Sequence, residues 1–504
     1  MYYLLNRQNF IQPILQKLAE SYQIVKRPLL ERNITYFDTF DWRLYKNGLI
    51  CHQQENVFCL SSLKNQKVIS ALKISDGKSF RFWWDFPGGV IQERLAAVMD
   101  IRALLPLLTL RLRIKPHDVL NEDGKTVARI ILPAPSLKGG GRPKPRLKVE
   151  AIRGYPADYR RINQLIKELG MAAEEQPYLL HLFAKARLTP GGYSTKINIQ
   201  LDPATQAREV VRKILLQFLS LIKLNQPGIL EDLDSEFLHD FRVAIRRTRS
   251  ITGQAKYVFP SGRITQFRRR LGTLQKSTNH LRDLDVYLLR KGRYRSILPE
   301  KLQSGVDIFF KSIQEERSRE QQKIKSLLSS PQYLKLITDW ENYLQNKNIP
   351  SSRNSHIEVL PFSQKIIGQR LQKVMQKGNQ LIGTKPEKKK LHELRIECKK
   401  LRYLLEFFSF LYAENKISLM VDHLKTLQDL LGDINDLSIQ ISDLEQKFES
   451  YRQSPEPDAV VLAGMGGLLT YFPQRQQELI KHFQETFRKF SSPDILAISR
   501  ELFG

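Results

Sequence analysis

The 504-residue sequence predicts an α+β multidomain chain, with an antiparallel, barrel-like or strongly curved β domain first and an all-helical domain after it. Three observations carry this. Short strand-like segments separated by turn signals fill residues 1–190. From Ala204 onward the apolar residues recur at helical spacing. Within the helical region a single pattern of positive charge occurs twice at a fixed distance.

In the first domain, residues 10–22 have helical spacing at Ile11, Ile14, Leu15 and Leu18. Strands are expected at 33–38, 49–52, 68–74, 80–84, 108–114, 126–132 and 146–152. In 108–114 apolar residues alternate with Arg111 and Arg113, which puts both arginines on one side of the strand. Asn121-Glu-Asp-Gly124 is a hairpin turn signal, and 138–145 reads as a flexible basic loop. A helix is expected at 158–169. Residues 188–203, with Thr189-Pro-Gly-Gly192, read as a linker between domains 1–190 and 200–504.

Helices are then expected at 204–224, 233–259, 263–290, 298–328, 331–346, 358–380, 388–413, 416–447, 460–468 and 473–490. Two of them carry the repeat. The first copy is His239-x-x-Arg242-x-x-x-Arg246-Arg247-x-Arg249; the second is His392-x-x-Arg395-x-x-x-Lys399-Lys400-x-Arg402. Every position is matched by one 153 residues later, and Leu281-x-Asp283-Leu284 is echoed in register by Ile434-x-Asp436-Leu437. Offsets of +3, +7 and +10 return to one helix face, so each copy is a stripe of cations headed by a histidine. The opposite faces are apolar, with Phe237, Phe241, Ala244 and Ile245 in one copy and Leu391, Leu394, Cys398, Leu401 and Leu405 in the other. Like charges at this spacing repel, so the pattern suits a repetitive anion. Asp283, Asp285 and Asp436 are expected to orient neighbouring basic side chains, and Tyr403 to pack beside the stripe.

Lysine and arginine number 80 against 52 acidic residues, a formal net charge of +28. That field points to nucleic acid, an anionic membrane or a phosphate polymer. The three cysteines, Cys51, Cys59 and Cys398, form no zinc spacing and read as idle thiols of a reducing, cytoplasmic compartment. No stretch approaches 18 uninterrupted apolar residues, and neither export nor a membrane span is expected. The oligomeric state is not legible.

The doubled stripe, with Arg282-Asp-Leu-Asp285 and Leu424-Lys-Thr-Leu-Gln428, resembles the CHAD family, the conserved histidine α-helical domain, over roughly residues 200–490. The resemblance implies two four-helix bundles related by a pseudo-two-fold, a basic groove between them, and binding of inorganic polyphosphate without catalysis or cofactor. It assigns the groove to His239, Arg242, Arg246, Arg247, Arg249, Arg282, His392, Arg395, Lys399, Lys400, Arg402 and Lys425. The first repeat departs at Gly272, which stands where the second has Lys425, and at Asn279, where the second has Gly432.

The N-terminal region is similar to the CYTH, or triphosphate-tunnel, family in Tyr36-Phe-Asp-Thr39, Leu44-x-x-x-Gly48, Arg111-x-Arg113, Val127-Ala-Arg129 and 149–155. That resemblance implies a β-tunnel whose first strand holds a catalytic metal through an E-x-E-x-K motif. Here Met1-Tyr-Tyr-Leu-Leu-Asn6 supplies no carboxylate, so no metal and no hydrolysis are expected. Lys73, Arg81, Arg111, Arg113 and Lys148 remain candidates for a phosphate-lined tunnel, with Glu150 as a leftover metal ligand. The expected function is non-enzymatic polyphosphate binding, at polyphosphate granules. The alternatives are a metal-dependent triphosphatase with a polyphosphate-binding accessory domain, or a general nucleic-acid binder. The stripes lack the interleaved aromatics of a single-strand stacking platform.

Overall fold

The computed structural model describes residues 1–5, 11–75, 79–137, 143, 145–174, 177–197, 199–384 and 386–504. Most of the basic loop expected at 138–145 lies outside them. The chain divides into two compact units, Met1–Ser194 and Thr195–Gly504.

The first unit holds strands β1 (Tyr2–Leu4), β2 (Gln23–Lys26), β3 (Leu30–Asp38), β4 (Leu49–Gln54), β5 (Val57–Ser62), β6 (Val68–Lys73), β7 (Leu105–Leu120), β8 (Thr126–Leu137) and β9 (Arg146–Ala151). Its helices are α1 (Ile11–Ala19), α2 (Arg43–Lys46), α3 (Val90–Met99), α4 (Pro156–Glu168) and α5 (Tyr178–Lys185). Every strand pairing is antiparallel, in the order β1-β9-β8-β7-β3-β4-β5-β6, with β2 on β7. The end strands β1 and β6 do not pair with each other, so among the described residues this is an open antiparallel sheet rather than a closed barrel. β7 is the spine: it pairs with β8 along one edge, and with β3 and β2 end to end along the other. The Asn121–Gly124 turn joins β7 to β8. Gly124 sits at φ +73, and the Asn121 carboxamide oxygen accepts the Lys125 N–H at 2.9 Å. One sheet face packs Val119, Ile130, Leu147 and Val149 against Ile14 and Leu18 of α1 and Ile162 and Ile166 of α4.

Residues 80–84 are not a strand. The Asp85 carboxylate accepts the N–H groups of Arg81 and Phe82 at 2.9 and 2.8 Å, which closes a turn and starts a 3-10 helix at Trp83–Asp85. The apolar-polar alternation of that segment is met instead by aromatic packing, with Phe82 and Trp84 stacked at 4.6 Å.

The second unit is all-helical: α6 (Ala207–Leu230), α7 (Ser235–Gln254), α8 (Ser261–Ser277), α9 (Asn279–Leu289), α10 (Lys291–Ile297), α11 (Glu300–Leu328), α12 (Pro331–Gln345), α13 (Val359–Asn379), α14 (Lys388–Phe407), α15 (Glu414–Arg452), α16 (Ala459–Phe490) and α17 (Pro493–Phe503). The 153-residue offset maps α7 onto α14 end for end. It also maps α6 onto α13, α8 with α9 onto α15, and α11 close to α16. These sets make two four-helix bundles, which touch through α7 against α14 and α11 against α16. Asp234 starts α7 by accepting the N–H groups of Glu236 and Phe237.

Helix boundaries differ from the sequence reading at several points: α6 and α15 run on to Leu230 and Arg452, α7 and α14 stop at Gln254 and Phe407, and α10 is additional. The helix expected at 263–290 breaks at Thr278, for a reason given below. The segments 460–468 and 473–490 are one helix through Pro473, because Phe472 is buried and Gln476 donates to Ile434 O at 2.9 Å, holding both sides of the proline to α15. The last helix, α17, has no counterpart in the sequence reading; Gln364 of α13 donates to its Leu502 O at 3.0 Å.

Candidate functional site

The two stripes come from helices that pack together. α7 presents Arg246 and α14 presents Arg395 and Lys399, close enough for their charges to act on one another. Burial is the first cause that brings the Lys399 ammonium down to about 8; the fields of Arg395 and Arg246 add to it. Neither Arg246 nor Lys399 makes an ion pair with another described residue. The Nε of Arg242, Arg246, Arg247, Arg249 and Arg395 is buried and donates no hydrogen bond. That of Arg402 lies 3.3 Å from Glu406 Oε1 but is too poorly aligned to bond. Buried donors without acceptors are costly, and here they recur through the motif arginines of both repeats.

The stripes are not uniform, and the expected exposure fails at Arg242. Its guanidinium is buried and donates to Gln275 O at 3.0 Å, Thr278 Oγ1 at 2.6 Å and Asn279 Oδ1 at 2.8 Å. It takes acceptors at the end of α8, and the helix breaks there. Burial, then Arg246, lowers its basicity to about 10. The equivalent Arg395 faces an unbroken α15, where Leu431 and Gly432 offer no side-chain acceptor, and lies 3.6 Å from Asp436 instead.

The edge cations turn away as well. Arg247 donates to Glu406 at 2.9 Å and to Thr195 O at 2.6 Å; Lys400 donates to Glu397 at 2.7 Å. Glu397 also takes Arg370, and Glu406 also faces Arg402. Arg247 and Arg402 each lie 5.9 Å from the buried Tyr403 ring, so Tyr403 packs. Arg282 donates to Ser235 O at 3.2 Å and lies 3.6 Å from Glu236, tying α9 to the start of α7. His392 is exposed, and its Nδ1 is 2.5 Å from Asn435 Oδ1; His239 is half-buried on α7. Lys425 is exposed on α15 without an ion pair to a described residue.

Arg249 donates to Gln275 Oε1 at 2.6 Å and crosses α8 at Gly272, where a Cβ would stand 3.2 Å from its Nε and Nη2. Arg268 of α8 makes the reciprocal contact at Gly253 of α7, where a Cβ would meet its Nη1 at 3.1 Å. Burial, then Arg268, lowers the basicity of Arg249. Sequence reading missed Arg268. Gly253 was its signal, since it lies 14 residues after His239 and so continues the same helix face.

The aspartates act as expected for Asp285, which accepts Arg317 at 3.0 Å, and for Asp436, which faces Arg395 and Arg290. Among the described residues no group of three or more His, Cys, Asp or Glu side chains is placed to hold a metal ion, and no helix is long and apolar enough to cross a membrane.

Residues 213–445, which hold both stripes, match the family described as the CHAD domain. This stretch is a CHAD domain. Its solved structural neighbours include the CHAD domain from the plant Ricinus communis, at 23% identity and TM-score 0.49, covering 58% of this chain and 95% of that one. They also include PptA from Streptomyces chartreusis, at 13% identity and TM-score 0.45, covering 56% of this chain and all of that one. No curated protein sequence matches the chain. Within the CHAD domain the motif cations neither paired with a carboxylate nor, like Arg242, spent on a helix end are therefore fewer than the pattern suggests: Arg246, Arg249, Lys399 and Lys425, with Arg395 only loosely paired.

In the first unit the tunnel candidates are split. Arg111 and Arg113 both bind Glu31, on the sheet face opposite Leu112 and Ile114. Lys73 is exposed on the end strand β6, and Arg81 lies in the turn before the 3-10 helix. Lys148 pairs with Glu150 at 2.5 Å on the other face. These cations do not converge.

Proposed function

We propose that the CHAD domain binds inorganic polyphosphate where α7 and α14 meet, through Arg246, Arg249, Arg395 and Lys399, with Lys425 extending the track. The observation that carries this is the set of buried, unbonded guanidinium nitrogens beside a lysine that has no carboxylate partner. That arrangement is unfavourable until a chain of acceptor oxygens arrives. A linear phosphate polymer supplies such oxygens at short regular intervals and brings no bulky groups with them. No catalysis belongs to this reading: the carboxylates of Glu397, Glu406 and Asp436 beside the stripes all face arginine or lysine, and β1 brings none. Attachment to cytoplasmic polyphosphate granules follows from the same binding.

The test is titration of the full chain with long polyphosphate, tripolyphosphate and single-stranded RNA across a range of salt. Polyphosphate binds most tightly, with log K falling linearly against log salt. A double variant, Arg246→Gln with Lys399→Gln, weakens binding and lowers the slope by roughly one per lost contact. RNA binding as tight as polyphosphate at equal charge makes the domain a nucleic-acid binder. Phosphate release in Mg²⁺ or Mn²⁺ restores the triphosphatase reading.

A further inference from the structure

One cavity of note lies in neither repeat. It is an open pocket of about 490 Å³ on one face of the N-terminal sheet, within the size range of small-molecule sites. Strand register builds it in rows. Leu30, Ile114 and Pro133 are neighbours across β3, β7 and β8, with Arg32 and Leu112 paired in the row beside them. Pro116 and Ile131 form the next row, continued by Lys148 and Tyr2. Asp118, Arg129 and Glu150 form the last. Residues paired across a ladder share a face, so the floor is largely aliphatic and proline-rich, with Arg32 and Lys148 set among it and an ionic cluster at one end.

At that end Asp118 is buried, its side chain only 2% exposed, and accepts the Nε of both Arg27 and Arg129 at 2.6 Å. One carboxylate thus fixes two guanidiniums. The terminal amino groups of both arginines donate to no other described residue, and with Arg32 and Lys148 they outweigh Asp118 and Glu150, so the lining keeps a net positive charge. The aliphatic part of the floor offers a polyphosphate no donor, Pro116 and Pro133 lack an N–H, and Lys148 is already paired with Glu150.

We propose that this pocket binds a small amphipathic anion. Its aliphatic body lies over Leu112, Ile114 and Ile131, and its single carboxylate or phosphate monoester head is held by Arg27 and Arg129. The proposal is independent of the polyphosphate reading, which rests on the other unit.

The experiment is calorimetric titration of the full chain with octyl phosphate and octanoate, each below its aggregation limit, beside octanol, inorganic phosphate and tripolyphosphate. At least one of the two amphipathic anions binds about tenfold or more tighter than octanol and inorganic phosphate, since body and head each contribute. Arg27→Gln, at a half-exposed side chain that leaves Asp118 its Arg129 partner, weakens binding several-fold. Ile131→Ser weakens the alkyl ligands, and Arg246→Gln with Lys399→Gln changes nothing. Should Ile131→Ser melt without cooperativity, Arg27→Gln and the octanol arm decide. Amphipathic anions that bind no tighter than inorganic phosphate, or that are indifferent to Arg27→Gln, overturn the proposal. Tripolyphosphate binding that is lost on Arg27→Gln also overturns it, in favour of a phosphate tunnel.

Discussion

Arg249 on α7 lies over Gly272 on α8, with its guanidinium where a side chain at 272 would begin. In the second repeat the position of Gly272 holds Lys425. The two repeats therefore place a cation at similar points of the face by different means: one supplies it from the stripe helix, the other from the helix beside it.

Gly272→Ala separates stability from binding. A Cβ at 272 meets only the far end of Arg249, which can swing aside, and alanine in a helix interior is favoured over glycine by about 0.5–1 kcal/mol. The melting temperature holds or rises, while polyphosphate affinity falls because Arg249 is displaced. Unchanged affinity measured by titration would remove Arg249 from the site.

Arg242 and Arg246 are four residues apart on one stripe, yet their loss has opposite consequences. Arg242→Ala strands three acceptors at the α8–α9 break and costs about 1–3 kcal/mol of stability. Arg246→Ala relieves repulsion with Arg395 and Lys399, leaves stability unchanged or slightly higher, and weakens polyphosphate binding. Denaturant melts and titrations of the two single variants check this. Equal destabilisation by both would mean that Arg246 has a structural partner.

The starts of α7 and α14, their apolar faces and the 153-residue offset are legible, because a repeated local pattern specifies them; both helices stop earlier than the apolar spacing suggests, at Gln254 and Phe407. The fate of individual cations is not legible. Arg242 is turned inward by Thr278 and Asn279, 36 and 37 residues away, and Arg247 by Glu406, 159 residues away. A helical period records which face a residue occupies, not which distant acceptor will meet it. The same limit explains the sheet. Alternation placed Arg111 and Arg113 together on one side, correctly, but only the pairing of β7 with β3 shows that Glu31 waits there and that the pocket is on the other side. Pro473 and 80–84 fail differently: in both, a side-chain hydrogen bond, from Gln476 or to Asp85, decides the backbone.

Lys399 makes the ligand-free domain sensitive to alkaline pH. Its folded value of about 8 is below the ordinary 10.5, so between these limits the unfolded chain binds more protons than the folded one. Stability therefore rises as pH climbs from about 8 to about 10.5. Below that window Lys399 is charged in both states and its penalty is fully present. Lys399→Met raises the melting temperature at neutral pH and removes this contribution to the alkaline rise. Polyphosphate restores the charge, so binding near pH 8 takes up protons, which calorimetry in buffers of different ionisation enthalpy reads directly. Proton release on binding would contradict the assignment of Lys399 to the site.

Chain length should matter more than charge. Arg246 and Arg249 belong to one bundle, while Arg395, Lys399 and Lys425 belong to the other. A polymer long enough to engage both makes its second contact at a high effective concentration, whereas tripolyphosphate engages one cluster at a time. A ligand that binds only the folded state stabilises it by RT ln(1 + [L]/Kd), so the affinity gain appears as a melting shift. At equal phosphate concentration long polyphosphate raises the melting temperature of the helical unit well above the shift from tripolyphosphate. Arg246→Gln or Lys399→Gln alone, by cutting one end of the bridge, brings the two shifts together. If tripolyphosphate already gives the full shift with the native chain, the clusters are independent anion sites and no polymer spans them.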